Sequence, residues 1–235
     1  MRSSVDSLAV AAGTNTPRGA PSPGAGFLVS ILVGEYPGDP AGPACRRLKE
    51  TIVTLPESLT PGVWTLDMSH SEIGFTVRHA GISKVRGRFK EAAAAARVGE
   101  CLADATLHAS VKTGGFDSGD ANRDAHVRGP DFFDVERYPE MTFRATSIRG
   151  DGEDYVLTGD LSIRDVTRPA DLEVEYSGVA VDPFGATRAG FGAEVDISRK
   201  EFGLTWNAAL EAGGLLVSDK VKINIEAAMV KQAQG

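Results

Sequence analysis

From about Trp64 to Val230 the chain alternates apolar and polar residues with a period of two, and no other feature constrains its fold as tightly. Successive side chains of a strand point to opposite faces, so strict alternation describes a sheet with one dry face and one wet face. Ile73, Phe75, Val77 and His79 fall on one side of a candidate strand, with Thr76 and Arg78 on the other. Cys101, Ala103, Ala105, Leu107, Ala109 and Val111 share a face opposite Asp104, Thr106, His108 and Ser110. The pattern returns at Met141, Phe143 and Ala145; at Tyr155, Leu157, Gly159, Leu161 and Ile163; at Leu172, Val174 and Tyr176; and at Val221, Ile223, Ile225 and Ala227. Adding Trp64–Met68, Val85–Glu91 and Gly190–Ile197 gives roughly eight strands. Short turns at Gly150-Asp-Gly152, Asp182-Pro-Phe-Gly185 and Gly213-Gly214 point to local connections, hence to a meander. A meander of eight long strands can close into a barrel, but a two-sheet sandwich also buries one face, and periodicity alone does not separate the two.

Apolar residues make up 42% of the 235 and charged residues 24%, enough for a core and a polar coat. The texture before residue 61 is different. Pro17, Pro21, Pro23, Pro37, Pro40, Pro43, Pro56 and Pro61 would interrupt regular elements repeatedly. Residues 1–60 are therefore read as a Gly/Pro-rich, largely flexible extension, with a piece that covers an edge or mouth of the β domain at 61–231. The apolar run Phe27–Val33 lies behind a long polar stretch, unlike a secretory leader, and falls far short of the roughly 18 apolar residues that span a bilayer. Cytoplasmic location is the expectation. Cys45 and Cys101 lack the number and spacing of a disulfide framework or zinc knuckle and are expected as free thiols in a reducing compartment. Lys and Arg number 25 against 32 Asp and Glu, a net charge of -7, which argues against nucleic acid as the main partner. The densest Lys/Arg group along the chain is the short Arg46, Arg47, Lys49 set.

One segment breaks the β rhythm. Asp120–Arg128 suits a short helix with Asp120 as N-cap, and Asp131–Val135 suits a further turn. Phe132 and Phe133 are adjacent and cannot share one depth on a strand face; on a turn at one end of a barrel they could plug it. The five alanines Ala92–Ala96 are too few for an isolated helix and are expected as strand or turn.

The four histidines, His70, His79, His108 and His126, show no HExxH or CxxC spacing, and no metal site is expected. His79 shares the side of Phe75 and Val77, so its ring is expected to be partly buried and to need a partner. Arg123 and His126 lie three apart on the candidate helix, where they could meet a carboxylate or an anionic head group, or serve only to brace the helix. GxSxG, GxGxxG and GxxxxGK[ST] runs are absent, and no catalytic residue is assigned. Aromatic residues are spread over nearly every strand opposite small ones such as Ala103, Ala105, Ala109 and Gly159. Such a lining is either jigsaw packing or a wall that leaves room for a guest.

A set of ordered motifs carries a likeness. Trp64-Thr-Leu-Asp67, His70-Ser71, Phe75-Thr-Val-Arg-His79, Val85-Arg-Gly-Arg-Phe89, Arg123-Asp-Ala-His126, Asp131-Phe-Phe-Asp134, Tyr138-Pro139, Gly190-Phe-Gly192 and Arg199-Lys-Glu-Phe-Gly-Leu-Thr-Trp206 resemble the YceI-like family of lipid-binding domains over about residues 61–230. The resemblance implies an all-β, eight-stranded antiparallel lipocalin-like barrel with a short helical element capping one end. It implies binding, storage or transport of an isoprenoid or similar long-chain amphiphile in an apolar tunnel, with no catalytic activity attached and no cofactor required. The guest expected is an isoprenoid quinone or polyprenyl lipid, and the partners expected are this apolar or amphiphilic molecule, a transiently touched membrane and a second copy in a homodimer.

The tail is expected against Phe75, Val77, Phe89, Phe143, Phe191, Leu204 and Trp206, with Phe132 and Phe133 at the capped end and His79, Arg123 and His126 orienting a head group. Two alternatives remain open: a hydrolase or isomerase acting on an apolar substrate through the same His and Asp residues, and a structural or stress-associated interaction protein with a filled core. Two departures from the family pattern stand out. Asp165 replaces a usual glycine in Ile163-Arg-Asp-Val-Thr167, and extra glycines in 112–119 lengthen the loop before Arg123.

Overall fold

The computed structural model describes residues 55–233 apart from 57 and 212, so most of the extension, with Phe27–Val33 and Cys45, lies outside the described residues. The alternation becomes eleven antiparallel strands: β1 (Gly62–Leu66), β2 (Glu72–His79), β3 (Ser83–Phe89), β4 (Ala92–Val98), β5 (Thr106–Lys112), β6 (Phe116–Asp117), β7 (Glu140–Asp151), β8 (Asp154–Ile163), β9 (Val166–Val181), β10 (Thr187–Ser198) and β11 (Val217–Lys231). Three pairs of these are long strands broken midway. β1 and β2 both pair with β11, at Leu66↔Met229 and Glu72↔Glu226; β3 and β4 pair with β2 and β1; β5 and β6 pair with β4 and β3. Counted this way, eight strands follow one another as a meander, and pairing of β1 with β11 closes the ring. Among the described residues the fold is an eight-stranded antiparallel barrel with one short helix, not a sandwich.

That helix, α1 (Ala121–Arg128), sits between β6 and β7 at one end, and Asp120 caps it by accepting from the Arg123 amide. The alanine run forms strand β4, where Ala92, Ala94 and Ala96 face the interior opposite Val111, Ala109 and Leu107. The stretch before β5 departs from the expected alternation. Leu102–Asp104 is a 3-10 turn, so the strand begins only at Thr106. Cys101, at the start of this turn, is buried and disulfide-bonded, not the free thiol expected. Two cysteines with no characteristic spacing give no local sign of this, because a disulfide depends on Cα atoms brought close by the fold.

The inner faces form two clusters. At the end opposite α1, Trp64, 2% exposed, packs with Leu59, Val98, Leu102, Tyr155, Tyr176, Ala189 and Met229 and closes the barrel. An ion network braces that end from outside. Asp67 accepts from Ser69, from His70 at 2.9 Å and from Arg188, and Arg188 also donates to Asp182 at 2.9 Å. Ser69 and Asp67 both meet the same His70 nitrogen, Nδ1, so the group cannot relay a proton as a Ser-His-Asp triad does. The second cluster fills the helix-capped half with Ile73, Phe75, Phe89, Phe116, Phe132, Met141, Phe143, Leu161, Ile163, Leu172, Phe202 and Leu204.

Candidate functional site

The capped end is sealed by rings. The turn after α1 is held by Phe133 N to Val127 O (3.0 Å) and Asp134 N to Gly129 O (2.9 Å), with Asp134 at φ 51°. This turn sends its two phenylalanines apart. Phe133 packs edge-on to Phe89, with centroids 5.9 Å apart, beside a stacked pair of Phe75 and Phe116 at 4.9 Å. Phe132 goes the other way, to Trp206 at 5.4 Å. The His126 ring stands perpendicular to Trp206 at 4.6 Å while its Nε2 lies 3.0 Å from Asp131 Oδ2.

Trp206 is held in place by its own loop. Arg199, in the 3-10 turn Arg199–Phe202, is 4% exposed and donates to the carbonyl oxygens of Leu204, Trp206, Val217 and Ser218. Asn207 adds a bond to the Val217 carbonyl and accepts from the Val217 amide. Burial pulls the Arg199 pKa down, opposed by the charge of Asp219. One guanidinium thus ties the Leu204 and Trp206 carbonyls of the loop to those of Val217 and Ser218 at the start of β11.

The barrel wall is incomplete on one side. β9 and β10 pair from Thr187↔Val181 as far as Glu194↔Glu173 and then separate, although β10 stays bonded to β11 to its end. An open cavity of about 440 Å³ lies at the gap, lined by the apolar Ala170, Val195, Ile197 and Phe202 and by the charged Asp171, Glu173, Glu194, Asp196, Glu201 and Lys222. Arg168 also lines it; this exposed residue faces the same side as the buried Leu161 beside it and has no ion pair among the described residues. Beside the gap, inward-facing Leu157, Val174, Ala193, Val195, Ile197, Val221, Ile223 and Ile225 are only half-buried. Of these, Leu157, Val174, Val195, Ile197, Val221 and Ile225 pack against the buried cluster from the side of the gap, and an eight-stranded barrel has room for one small ligand.

Of the residues expected to touch a guest, Phe75, Phe89, Phe132, Phe143 and Leu204 meet in one buried cluster with Phe133 and Trp206 packed against it. Phe191 lies with the opposite cluster, 5.5 Å from the Tyr176 ring, and Val77 pairs with Val221 on the inner face. The three polar residues are not gathered. His79 ends exposed at a hairpin, not partly buried, because its strand runs beyond the barrel rim there. Arg123 turns back to Ser118, donating to its Oγ (2.7 Å) and carbonyl (2.9 Å), and His126 binds Asp131. The sequence reading gave Arg199 and Asp124 no role beyond membership of a motif and did not single out Arg168. Asp124, buried, accepts from the Ser118 amide at 3.0 Å and so fixes α1 to the wall. Among the described residues no three His, Cys, Asp or Glu side chains stand close enough to hold a metal ion.

The model of one family, the YceI-like domain, matches residues 64–229. Protein YceI of Escherichia coli (strain UMN026) is 37% identical over 136 residues, 57% of this chain and 71% of that protein. The crystal structure of Campylobacter jejuni YCEI protein is 30% identical with a TM-score of 0.57, covering 72% of this chain and 97% of its own. A polyisoprenoid binding domain from Saccharophagus degradans, implicated in plant cell wall breakdown, shares the fold with a TM-score of 0.56 at 14% identity, covering 72% of this chain and 98% of its own.

Proposed function

The chain belongs to the YceI-like family, whose barrel fold is consistent with binding a small hydrophobic ligand, and from this we propose that its interior carries one isoprenoid-type chain, such as a quinone or polyprenyl lipid. The observation that carries the reading is the row of half-buried apolar side chains from Leu157 to Ile225 beside the parted strands β9 and β10. The gap offers a lateral way in, since the two ends are closed by Trp64 and by the Phe132 and Phe133 rings. Desolvation of the tail supplies the affinity, about 0.8 kcal/mol or roughly fourfold per CH₂. Arg168, at the rim and with no ion pair among the described residues, suits the polar head better than His79, Arg123 or His126. The polyisoprenoid-binding relative supports the choice of guest.

Organic extraction of purified protein followed by mass spectrometry is expected to yield a long apolar chain. Adding a short-tailed quinone to stripped protein should quench Trp206. Ala193 faces inward between Val174 and Ile225, so Ala193→Phe should block the interior and abolish the quench while the fold persists. No extracted guest and no quench with any quinone would end the carrier reading.

A further inference from the structure

Sequence order hides a charged surface that strand pairing assembles. In the β2–β3 hairpin Arg78 stands directly across from Lys84, and Arg86 stands across from Thr76, on the outer face. All three cations are exposed, and none makes an ion pair among the described residues. The basic residues around them are neutralised: Lys90 by Asp117, Lys220 by Asp196 and Lys222 by Glu194, while Arg88 stands across from Asp117. The one carboxylate on the outer face of β2 is Glu72, at the far end of the strand. Like charges directly opposite each other destabilise a hairpin, so this face is costly in isolation and relieved by an external anion.

The tip of the same hairpin is apolar. A tight turn with Ala80 at φ 51° and Gly81 at φ 73° carries Ile82, which is 87% exposed. Leu215, 51% exposed, is on the adjoining loop, whose Leu216 carbonyl accepts from the Ala80 amide at 2.7 Å. A second exposed apolar tip provides a built-in comparison. Phe184, 94% exposed, sits at the opposite end of the barrel, where Arg188 is already bound by Asp67 and Asp182.

We propose that the β2–β3 hairpin docks on anionic lipid bilayers, with Ile82 and Leu215 entering the interface and Arg78, Lys84 and Arg86 meeting the head groups. The chain carries a net charge of -7, so attraction depends on this local segregation of charge and not on the protein as a whole. The gap between β9 and β10 opens toward the same end, one strand away across β11, which brings it near the membrane when the hairpin is seated.

Co-sedimentation with vesicles of phosphatidylcholine alone, and of phosphatidylcholine mixed with phosphatidylglycerol, tests this on the full chain, both loaded and stripped of apolar guest. Binding is expected only to the mixed vesicles, and to fade as salt rises. Arg78→Gln, Lys84→Gln and Arg86→Gln together should weaken it by about 100-fold with circular dichroism unchanged. Ile82→Ser should weaken it several-fold without changing the salt dependence, and Phe184→Ser should leave it unaltered. Equal binding to both vesicle types, an unaffected triple variant, or a loss caused by Phe184→Ser would overturn the proposal. So would binding of duplex DNA in place of vesicles. Stripped protein that still binds mixed vesicles keeps this result separate from any failure of the carrier reading.

Discussion

Gly159 lies beneath the Phe143 ring, and Gly87 beneath Phe75, each pair facing inward across two neighbouring strands. A Cβ at Gly159 would come within 2.4 Å of Phe143 Cζ and 2.5 Å of the Arg144 carbonyl oxygen. The ring can turn aside, but the carbonyl belongs to the ladder. Gly159→Ala is therefore expected to cost about 3 kcal/mol in urea unfolding. Adding Phe143→Leu should recover only part of this, because the backbone oxygen remains. Asp67 gives a residue-scale effect of the opposite character. Its bonds from Ser69, together with those from Arg188 and His70, hold its carboxyl far below the usual carboxylate range. A depressed carboxyl stabilises the fold above its ordinary pKa of about 3.9, and that contribution drains away as pH falls below it. Asp67→Asn should thus cost about 2 kcal/mol at neutral pH. The difference from the parent in urea midpoints should shrink steadily below about pH 4.

Among the elements, the inner faces could be read directly, because period two survives any detail of pairing: Phe75, Leu107, Phe143, Leu161 and Ile225 all point where alternation puts them. The Asp120 cap was also legible, as was the unequal placing of the adjacent Phe132 and Phe133, since both follow from local chemistry; the directions the two rings take were not. Other features are set by residues distant in sequence and leave no local trace. The breaks at 67–71 and 90–91, the separation of β9 from β10 and the pairing of Arg78 with Lys84 belong to this group. So do the reach of Arg199 to Val217 and the bond made by Cys101. Turns fall between the two cases. In place of the glycine that the family pattern led us to expect at Asp165, the β8–β9 turn puts Arg164 at φ 57°, and the β2–β3 turn puts Ala80 at 51°. A left-handed conformation costs a residue with a Cβ about 1–2 kcal/mol, against a smaller entropic loss for glycine. Ala80→Gly should accordingly raise stability by about 0.5–1 kcal/mol, read as a higher urea midpoint.

At the scale of the whole molecule, closure of the ring by β1 and β11 removes the edges that an open sheet would expose, except where β9 and β10 part. Unpaired strand there is a template onto which a strand from another chain could add. The sequence guards it. Pro169 sits in that stretch of β9, in register with Asp160 of β8, and a proline persists in a ladder only where its missing N–H faces the open side. Glu173 and the ion pairs Arg149–Asp171, Lys222–Glu194 and Lys220–Asp196 crowd both margins with charged side chains, so an approaching strand meets a charged, solvated edge as well as a missing donor. Pro169→Val restores the donor and should produce soluble oligomers, detected by light scattering, from a variant whose circular dichroism still matches the parent. A parted wall, the entrance in the proposed reading, thus obliges the barrel to defend itself against polymerisation, and a single imino acid with its flanking charges provides that defence.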